Sequence, residues 1–315
     1  MATASNTTTL SLGIVARSQY APLKDGRVTL AGYVLDCLEV APMPRLFDRM
    51  IKNLEFDVSE MAIVTYLQGK EIGKPLTALP IFPLRAFPHG AIQYNVDSGI
   101  QSPYDLAGRK VGVRAYAGTA GVWARGLLQS EHGVDPGSIT WILNDNEHLD
   151  ECPNPSNTRL IKGANLGEML IAGEIDAAIG LQNVDAPNLK TLISSPRQKQ
   201  AEWYGRTGIF PINNTVVVKD ELLAADPGLA LALFNAFKEA KALYLQDLKA
   251  NGAQAKDAEA DLRFMEIVGE DPLPVGIDAN RTAIETVVQY SIDQGIISER
   301  FSIEQLFAAS TLSLS

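Results

Sequence analysis

The sequence has little of what metal, redox and membrane proteins use. It has two cysteines, Cys37 and Cys152, far apart and in no CxxC arrangement, and three histidines with no His-x-His or His-x3-His spacing. These spacings support neither a zinc site nor a thiol redox motif. No run of about 18 apolar residues is present, so no membrane-spanning helix is predicted.

Positive charge is also scarce. The net charge of −10 argues against a nucleic-acid or anionic-membrane partner, and 46% hydrophobic with 20% charged residues is ordinary for a folded domain. We therefore expect a small-molecule partner, and a homo-oligomer is left open. The start MATASNTTTLSLGIV lacks a basic n-region and an apolar h-region. It predicts a cytoplasmic protein, or a periplasmic one if a native signal peptide had been removed.

The most informative stretch is VGVRAYAGTAGVWARG, residues 111 to 126. A short apolar run predicts a buried strand, Gly118 and Thr119 supply a turn residue and an N-cap, and Trp123 lies on the apolar face of the helix that follows. A helix start presents free N–H groups and a partial positive charge, and Arg114 and Tyr116 at the same turn would assist an anion. The alternative is an ordinary strand-to-helix crossover that binds nothing.

Other candidate residues follow predicted strands in the first hundred residues. Polar and aromatic groups just past strand ends lie where open α/β sheets bind ligands. These candidates are Arg17 and Tyr20 after the strand 10–15, Ser59 and Glu60 in FDVSEM, and Arg85, Phe87 and His89 in PLRAFPHG.

The order of elements predicts an α/β protein with two lobes, two crossover strands and a cleft between the lobes that holds the ligand. Lobe 1 is predicted to hold residues 1–92 and 208–315, and lobe 2 residues 93–207. Residues 144–163 are polar and rich in Pro and Asn, which predicts a long surface loop containing His148. Asn213 and Asn214 are predicted to precede a strand at 215–218.

Each candidate has a plainer interpretation. Glu60 near a helix start could only compensate the helix dipole, and His89 could be a hydrogen-bonded structural histidine. Tyr20, Phe87 and Tyr116 could be core aromatic residues, and an Asn pair is typical of a turn.

Several phrases, in order over nearly the whole chain, carry a family resemblance. They are FDVSEM, IFPLRAF with a histidine two residues later, SPYDLAGRKVGV, TAGVWARG, LGEMLIAGEIDAAI, EWYGRTGIFPI, AFKEAK, GIDANR and LFAAST. The chain resembles the 4,5-dihydroxyphthalate decarboxylase family, which is similar in turn to type 2 periplasmic binding proteins.

The resemblance implies a type 2 periplasmic-binding-protein-like fold and the non-oxidative decarboxylation of a hydroxylated aromatic acid without a cofactor or metal. His89 is the expected proton donor and Glu60 the expected base or second acid. Arg17, Arg85 and Arg114 would pair with carboxylates, the aromatic residues would hold the ring, and Asn213 and Asn214 would bond to its hydroxyls. Arg125, inside the helix, is expected to be structural.

The sequence departs from the family pattern at three places. Pro88 replaces the arginine of FRH, Asn213 with Asn214 replaces a Met-His pair after GIFPI, and ILNDNEHL behind Trp141 replaces a glycine-rich stretch. If the missing histidine was catalytic, the protein either acts on a different acid or binds its ligand without transforming it, as an ABC-transporter solute-binding protein does for an organic anion. That is the alternative function.

Overall fold

The computed structural model describes residues 7–181 and 184–315. Residues 1–6, which open the stretch used to predict localisation, lie outside that range. Within it, no helix combines the length and apolar character that crossing a membrane requires.

The first part of the chain alternates strands and helices. Its elements are β1 (Thr8–Ile14), α1 (Ala21–Lys24), β2 (Tyr33–Glu39), α2 (Met43–Asn53), β3 (Val58–Ala62), α3 (Ile63–Glu71) and β4 (Leu76–Arg85).

The middle part adds a second α/β run. Its elements are β5 (Ile92–Asn95), β6 (Lys110–Val113), α4 (Thr119–His132), β7 (Thr140–Leu143), β8 (Thr158–Leu160), α5 (Leu166–Ile171), β9 (Ala177–Ile179), β10 (Leu189–Thr191) and α6 (Pro196–Thr207). Because α4 begins at Thr119, the N-cap is Gly118 and not Thr119 as predicted.

The last part is mainly helical. It holds β11 (Ile212–Lys219), α7 (Asp220–Ala225), α8 (Leu229–Asn251), α9 (Lys256–Val268), α10 (Arg281–Asp293) and α11 (Ile303–Leu306). Strand β11 begins three residues before the predicted 215–218, so Asn213 and Asn214 are strand residues and not turn residues.

The chain forms two compact units. Unit 1 holds the residues through Arg85, Ile212–Ile284 and Phe301–Ser315, and unit 2 holds Ala86–Pro211 and Glu285–Arg300. The predicted breaks at 92/93 and 207/208 differ from these by a few residues, and the prediction kept residues 285–300 in lobe 1. The reason is a dense set of contacts within unit 2: the ring of Tyr290 lies 5.6 Å edge-on from that of Trp123, and Arg125 Nε donates to Gln294 Oε1 at 2.6 Å.

The two units contain related sheets. The sheet of unit 1 has the order β2-β1-β3-β11-β4. In it, β1 is parallel to both β2 and β3, whereas β11 is antiparallel to its two neighbours. The sheet of unit 2 has the order β10-β5-β9-β6-β7-β8. There, β6 is parallel to both β7 and β9, whereas β5 is antiparallel to its two neighbours. In each sheet a central parallel strand is flanked by its successors, and one antiparallel strand is inserted.

Close packing fixes one glycine in each central strand. A Cβ on Gly13 of β1 would lie 2.7 Å from the Phe56 ring, and one on Gly112 of β6 would lie 2.8 Å from Ile175 Cδ1. Both distances are shorter than a carbon contact allows, so these strands admit only glycine there without a shift. The strands are thereby held against the helical layer, and their carboxyl ends are fixed in position.

Candidate functional site

In unit 1, side chains from the turn after β1 and from strand β11 meet around the carboxylate of Glu60 on β3. Glu60 lies on β3 and is fully buried, which by itself would be costly for a charge. Arg17, from the turn after β1, donates from Nη2 at 3.1 Å and from Nε at 3.3 Å to Oε1. Asn214 Nδ2, on β11, donates to the same oxygen at 2.6 Å, and Tyr20 Oη donates to Oε2 at 3.0 Å. We call Arg17, Tyr20, Glu60 and Asn214 the Glu60 cluster.

Electrostatics favour a charged guanidinium and a protonated phenol in the Glu60 cluster. Burial lowers the pKa of Arg17, but the Glu60 carboxylate outweighs it, so that the pKa is raised overall and the guanidinium keeps its charge. Burial, and then the neighbouring Glu60, raises the pKa of Tyr20 well above its ordinary value, which keeps the phenol protonated as a donor. The Arg17 side chain retains 12% exposure, whereas Glu60 retains none. Arg17 is therefore the member of the pair that a ligand anion would reach.

The turn that carries Arg17 and Tyr20 is fastened to α9. Asp257 Oδ2 accepts the Ser18 N–H at 2.6 Å, and Oδ1 accepts the Ser18 hydroxyl at 3.0 Å. Gln19 Nε2 donates to the Pro83 carbonyl at 2.6 Å. Asp257 was missed in the sequence, because nothing local pairs a residue of the acidic helix α9 with a serine 239 positions earlier.

The remaining unit 1 candidates have other surroundings. Ser59 is buried and donates to the Glu60 carbonyl at 2.9 Å, so its hydroxyl serves the strand. Arg85 donates to Asn280 Oδ1 and to the Pro274 carbonyl, and its guanidinium lies 5.3 Å from the centre of the Phe82 ring. Asn213 is buried, and its Oδ1 has no hydrogen-bond partner among the described residues.

In unit 2, the turn before α4 already holds a carboxylate. Glu147 accepts the backbone N–H groups of Tyr116 at 2.5 Å and Ala117 at 3.1 Å. Burial raises the pKa of Glu147, although those two hydrogen bonds oppose the shift. The predicted surface loop 144–163 is thus buried at Glu147 and His148, and it contains β8. The turn predicted to bind an external anion is thus occupied by the carboxyl group of Glu147 from the same chain.

The same turn rests on a buried cation. The guanidinium of Arg125 lies 3.9 Å from the centre of the Tyr116 ring, and Arg125 also donates to the Tyr116 carbonyl. Arg125 is fully buried, and burial lowers its pKa to about 10, still well above neutrality. The Tyr116 ring, 3% exposed, is part of this packing. Arg125 is structural, as expected.

Arg114 lies closer to the surface. Its Nη1 forms an ion pair with Asp145 at 2.9 Å, its Nη2 lies 3.2 Å from His148 Nε2, and 36% of the side chain is exposed. Thr119 opens α4 and is buried, while Gly118 precedes it as N-cap.

Phe87 and His89 belong to an aromatic group in unit 2. Phe87 stacks on Phe210 at 4.9 Å between ring centres, and His89 lies 5.5 Å edge-on from Trp203. Burial lowers the pKa of His89 to about 4, so the imidazole is neutral at pH 7. Together with Leu127 and Glu131, His89 lines a cavity beside the second half of α4. At about 1.5 Å per residue, Leu127 and Glu131 lie roughly 12–18 Å along α4 from its start at Thr119.

For metal binding the described ranges offer little. Within residues 7–181 and 184–315, no group of three or more His, Cys, Asp or Glu side chains is arranged to hold an ion. The Glu60 cluster combines one carboxylate with several donors, an arrangement that suits an acidic organic ligand and proton transfer.

Comparison with known proteins identifies the class first. The alkanesulfonate-binding protein SsuA from Xanthomonas axonopodis pv. citri superposes with a TM-score of 0.53 at 12% identity, over 96% of this chain and 97% of that one. The aliphatic sulphonate-binding protein SsuA from Escherichia coli gives 0.57 at 14%, over 95% and 91%. The desulfurization enzyme DSZB gives 0.56 at 18%, over 97% of both chains. At these identities the likeness establishes the fold, which is the two-lobe α/β fold of type 2 periplasmic binding proteins.

Sequence comparison is more specific. No protein-family model matches the chain. A 4,5-dihydroxyphthalate decarboxylase of Comamonas testosteroni is 30% identical over 96% of this chain and 97% of its own length. One from Pseudomonas putida is 30% identical over 63% of this chain and 82% of its length. The chain belongs to the 4,5-dihydroxyphthalate decarboxylase family.

Proposed function

We propose that this protein is a cofactor-independent decarboxylase of a hydroxylated aromatic carboxylic acid resembling 4,5-dihydroxyphthalate. The observation that carries the proposal is 30% identity over 96% of the chain to a decarboxylase of that name. An alignment of that length extends over both units, so the support is not confined to one of them.

The reaction needs a proton moved twice. A base takes the proton of a ring hydroxyl, which pushes electron density into the ring, and an acid delivers a proton to the ring carbon that bears the carboxylate. The bond from ring to carboxylate then breaks, its electron pair returns to the ring, and carbon dioxide leaves. General acid or base groups contribute about 10²–10⁴-fold each when they are positioned.

The Glu60 cluster supports the first half of this sequence. Arg17 offers a guanidinium to a substrate carboxylate, because its side chain is the partly exposed member of the ion pair. Glu60 is held by Arg17, Tyr20 and Asn214, and it would accept the hydroxyl proton once a substrate carboxylate shares Arg17 with it. Its buried setting keeps bulk water away from the developing charge.

The role of His89 as proton donor stays a prediction from the resemblance. With a pKa of about 4 it holds no extra proton at neutral pH, which is a poor state for a general acid. We therefore give Glu60 the larger share of proton transfer: having taken the hydroxyl proton, it is the acid that can return one.

A second candidate function is a solute-binding protein for a small organic anion. Its support is the fold shared with two sulfonate-binding proteins, together with Pro88, Asn213 and Asn214 where the family pattern has other residues. In that function Arg17 would still bind the anion, but no proton would move.

Turnover separates the two functions. The purified protein is incubated with 4,5-dihydroxyphthalate and a set of hydroxybenzoates, and carbon dioxide release is followed alongside the thermal shift. We expect release that falls at least about 100-fold in Glu60→Gln, with Glu259→Gln on the exposed side of α9 as a matched control at wild-type rate. Stabilisation by the ligands without release would make it a binding protein, and neither response would overturn both functions.

A further inference from the structure

A cavity of about 310 Å³ lies within unit 2, at the opposite end of α4 from the Glu147 turn. Its apolar wall is formed by Leu127, Leu192, Ile193 and Trp203. This volume is at the small end of ligand pockets, which begin at about 300 Å³, and it suits a single ring with one substituent group. We call this space the His89 cavity.

His89 makes the cavity more than a packing defect. The side chain is 4% exposed, and neither residues 7–181 nor 184–315 supply it with a hydrogen bond. Its Nδ1 is sealed in the interior without a partner. A buried N–H without an acceptor is rare in proteins, so the proton of the neutral ring belongs on Nε2. Because the ring lines the cavity and Nδ1 is sealed, Nε2–H is the donor that a molecule in the cavity would meet.

The charges around His89 are balanced. On α6, Lys199 pairs with Glu202 at 2.8 Å, and Arg206 pairs with Glu131 of α4. His132, also lining the cavity, has a pKa that burial lowers, with Glu131 opposing. No surplus charge remains among these titratable groups, which are those of α4 and α6 that line the cavity. The cavity therefore lacks the two unpaired cations that a dicarboxylate would need.

We propose that the His89 cavity is a binding site for a planar aromatic monocarboxylate, separate from the Glu60 cluster. One carboxylate oxygen accepts the Nε2–H of His89, and the ring lies against Trp203 and the aliphatic wall. If the proposed function holds, an aromatic dicarboxylate becomes such a monocarboxylate when it loses carbon dioxide, so the cavity would bind the product; that last step alone rests on the proposed function.

Histidine NMR offers a direct test, because the chain has three histidines. The probe is 3,4-dihydroxybenzoate, with benzoate as a second monocarboxylate and phthalate as the dicarboxylate control. The full-length protein carries Glu60→Gln, so that no proton transfer by Glu60 accompanies the titration. At pH 7 we expect the Nε2–H tautomer for His89, and a saturable shift of its nitrogen signals with both monocarboxylates and not with phthalate. Signals that stay fixed up to millimolar probe would overturn the proposal.

Two variants identify the donor. His89→Gln keeps an N–H at the position of Nε2, while His89→Phe keeps the ring and loses the donor. We expect His89→Phe to weaken probe binding by about tenfold or more and His89→Gln to bind within about threefold of the parent. Equal affinity in His89→Phe would overturn the proposal, and if that variant fails to fold, the titration of the histidine signals decides alone.

Turnover separates this proposal from the proposed function. Carbon dioxide release by the natural chain is therefore measured beside the histidine titration. Histidine signals that stay fixed in a chain that releases carbon dioxide would overturn the cavity site and leave the proposed function standing. A shift of the His89 nitrogen signals in a protein that releases no carbon dioxide would support the cavity site and contradict the proposed decarboxylase activity.

Discussion

The two units hold a buried glutamate side chain in different ways. Each has a central parallel strand, β1 or β6, followed by an arginine three or one residues later, and each buries a glutamate nearby. In unit 1 the glutamate is held by side chains, chiefly Arg17, whereas in unit 2 Glu147 is held by the backbone N–H groups of Tyr116 and Ala117. Side chains can change partners without unfolding a turn, and backbone groups cannot. The Glu60 cluster is thus the better place for an exchange of partners with a ligand.

Replacing the two arginines should show this contrast most strongly. Arg17→Met leaves the Glu60 carboxylate buried without its cation, and we expect the free energy of unfolding to fall by about 3–5 kcal/mol. Arg114→Met removes an ion pair whose side chains are 36% and 51% exposed, so the loss should be under about 1 kcal/mol. Urea denaturation of both variants measures the difference, and equal losses would contradict the contrast between the units.

The pH dependence of stability should report on His89 in unit 2. Its pKa is about 4 when folded and 6.5 ordinarily, so the unfolded state binds the proton more readily. Stability from this group is complete above pH 6.5 and is lost as the pH falls toward 4, by about 3 kcal/mol in all. Between pH 7 and 4, the denaturation midpoint of His89→Phe should therefore depend less steeply on pH than that of the parent. The same steepness in both proteins would mean that His89 is not buried as a neutral ring.

A pair of glycines tests how tightly residues 285–300 pack in unit 2. A Cβ on Gly126 of α4 would lie 2.1 Å from the Tyr290 ring, whereas around Gly205 of α6 nothing lies within 4 Å. Gly126→Ala should cost about 1–3 kcal/mol through overpacking, and Gly205→Ala should stabilise by up to about 1 kcal/mol through helix propensity. Thermal denaturation distinguishes them, and stabilisation by both would show that Tyr290 has room to move.

The smallest effect expected is at the anchor of the unit 1 turn. Asp257→Asn leaves one of the two Ser18 donors without an acceptor, which we expect to cost about 1 kcal/mol of stability. Because that turn carries Arg17, the Michaelis constant for the substrate should rise more than the turnover number falls. The control is again Glu259→Gln, an exposed residue of the same helix, and a Michaelis constant unchanged from the parent would remove Asp257 from any role in positioning.

Local patterns predicted the fold, because apolar runs, Pro and Gly mark strands and helices wherever the chain folds. They also predicted Arg17, Tyr20, Glu60 and Asn214 as candidates, and the structure brings these four together. The patterns failed where a partner is distant: Asp257 and Glu147 acquire their contacts through the fold, and neither has a local motif. The structural role of the WARG motif could not be predicted from its local sequence either, because Trp123, Arg125 and Gly126 each pack against residues 285–300.

That packing has a consequence for how the protein is made. The ribosome synthesises a chain from its N-terminus to its C-terminus, so α4 emerges long before Tyr290 and Gln294 have been synthesised. Until then Arg125 lacks its Gln294 acceptor, and no Tyr290 ring packs against Gly126. A nascent chain stalled after residue 284 would therefore hold all the described unit 2 strands but lack the acceptor of Arg125 Nε and the ring that packs on Gly126. We expect such a chain to depend on chaperones until translation resumes.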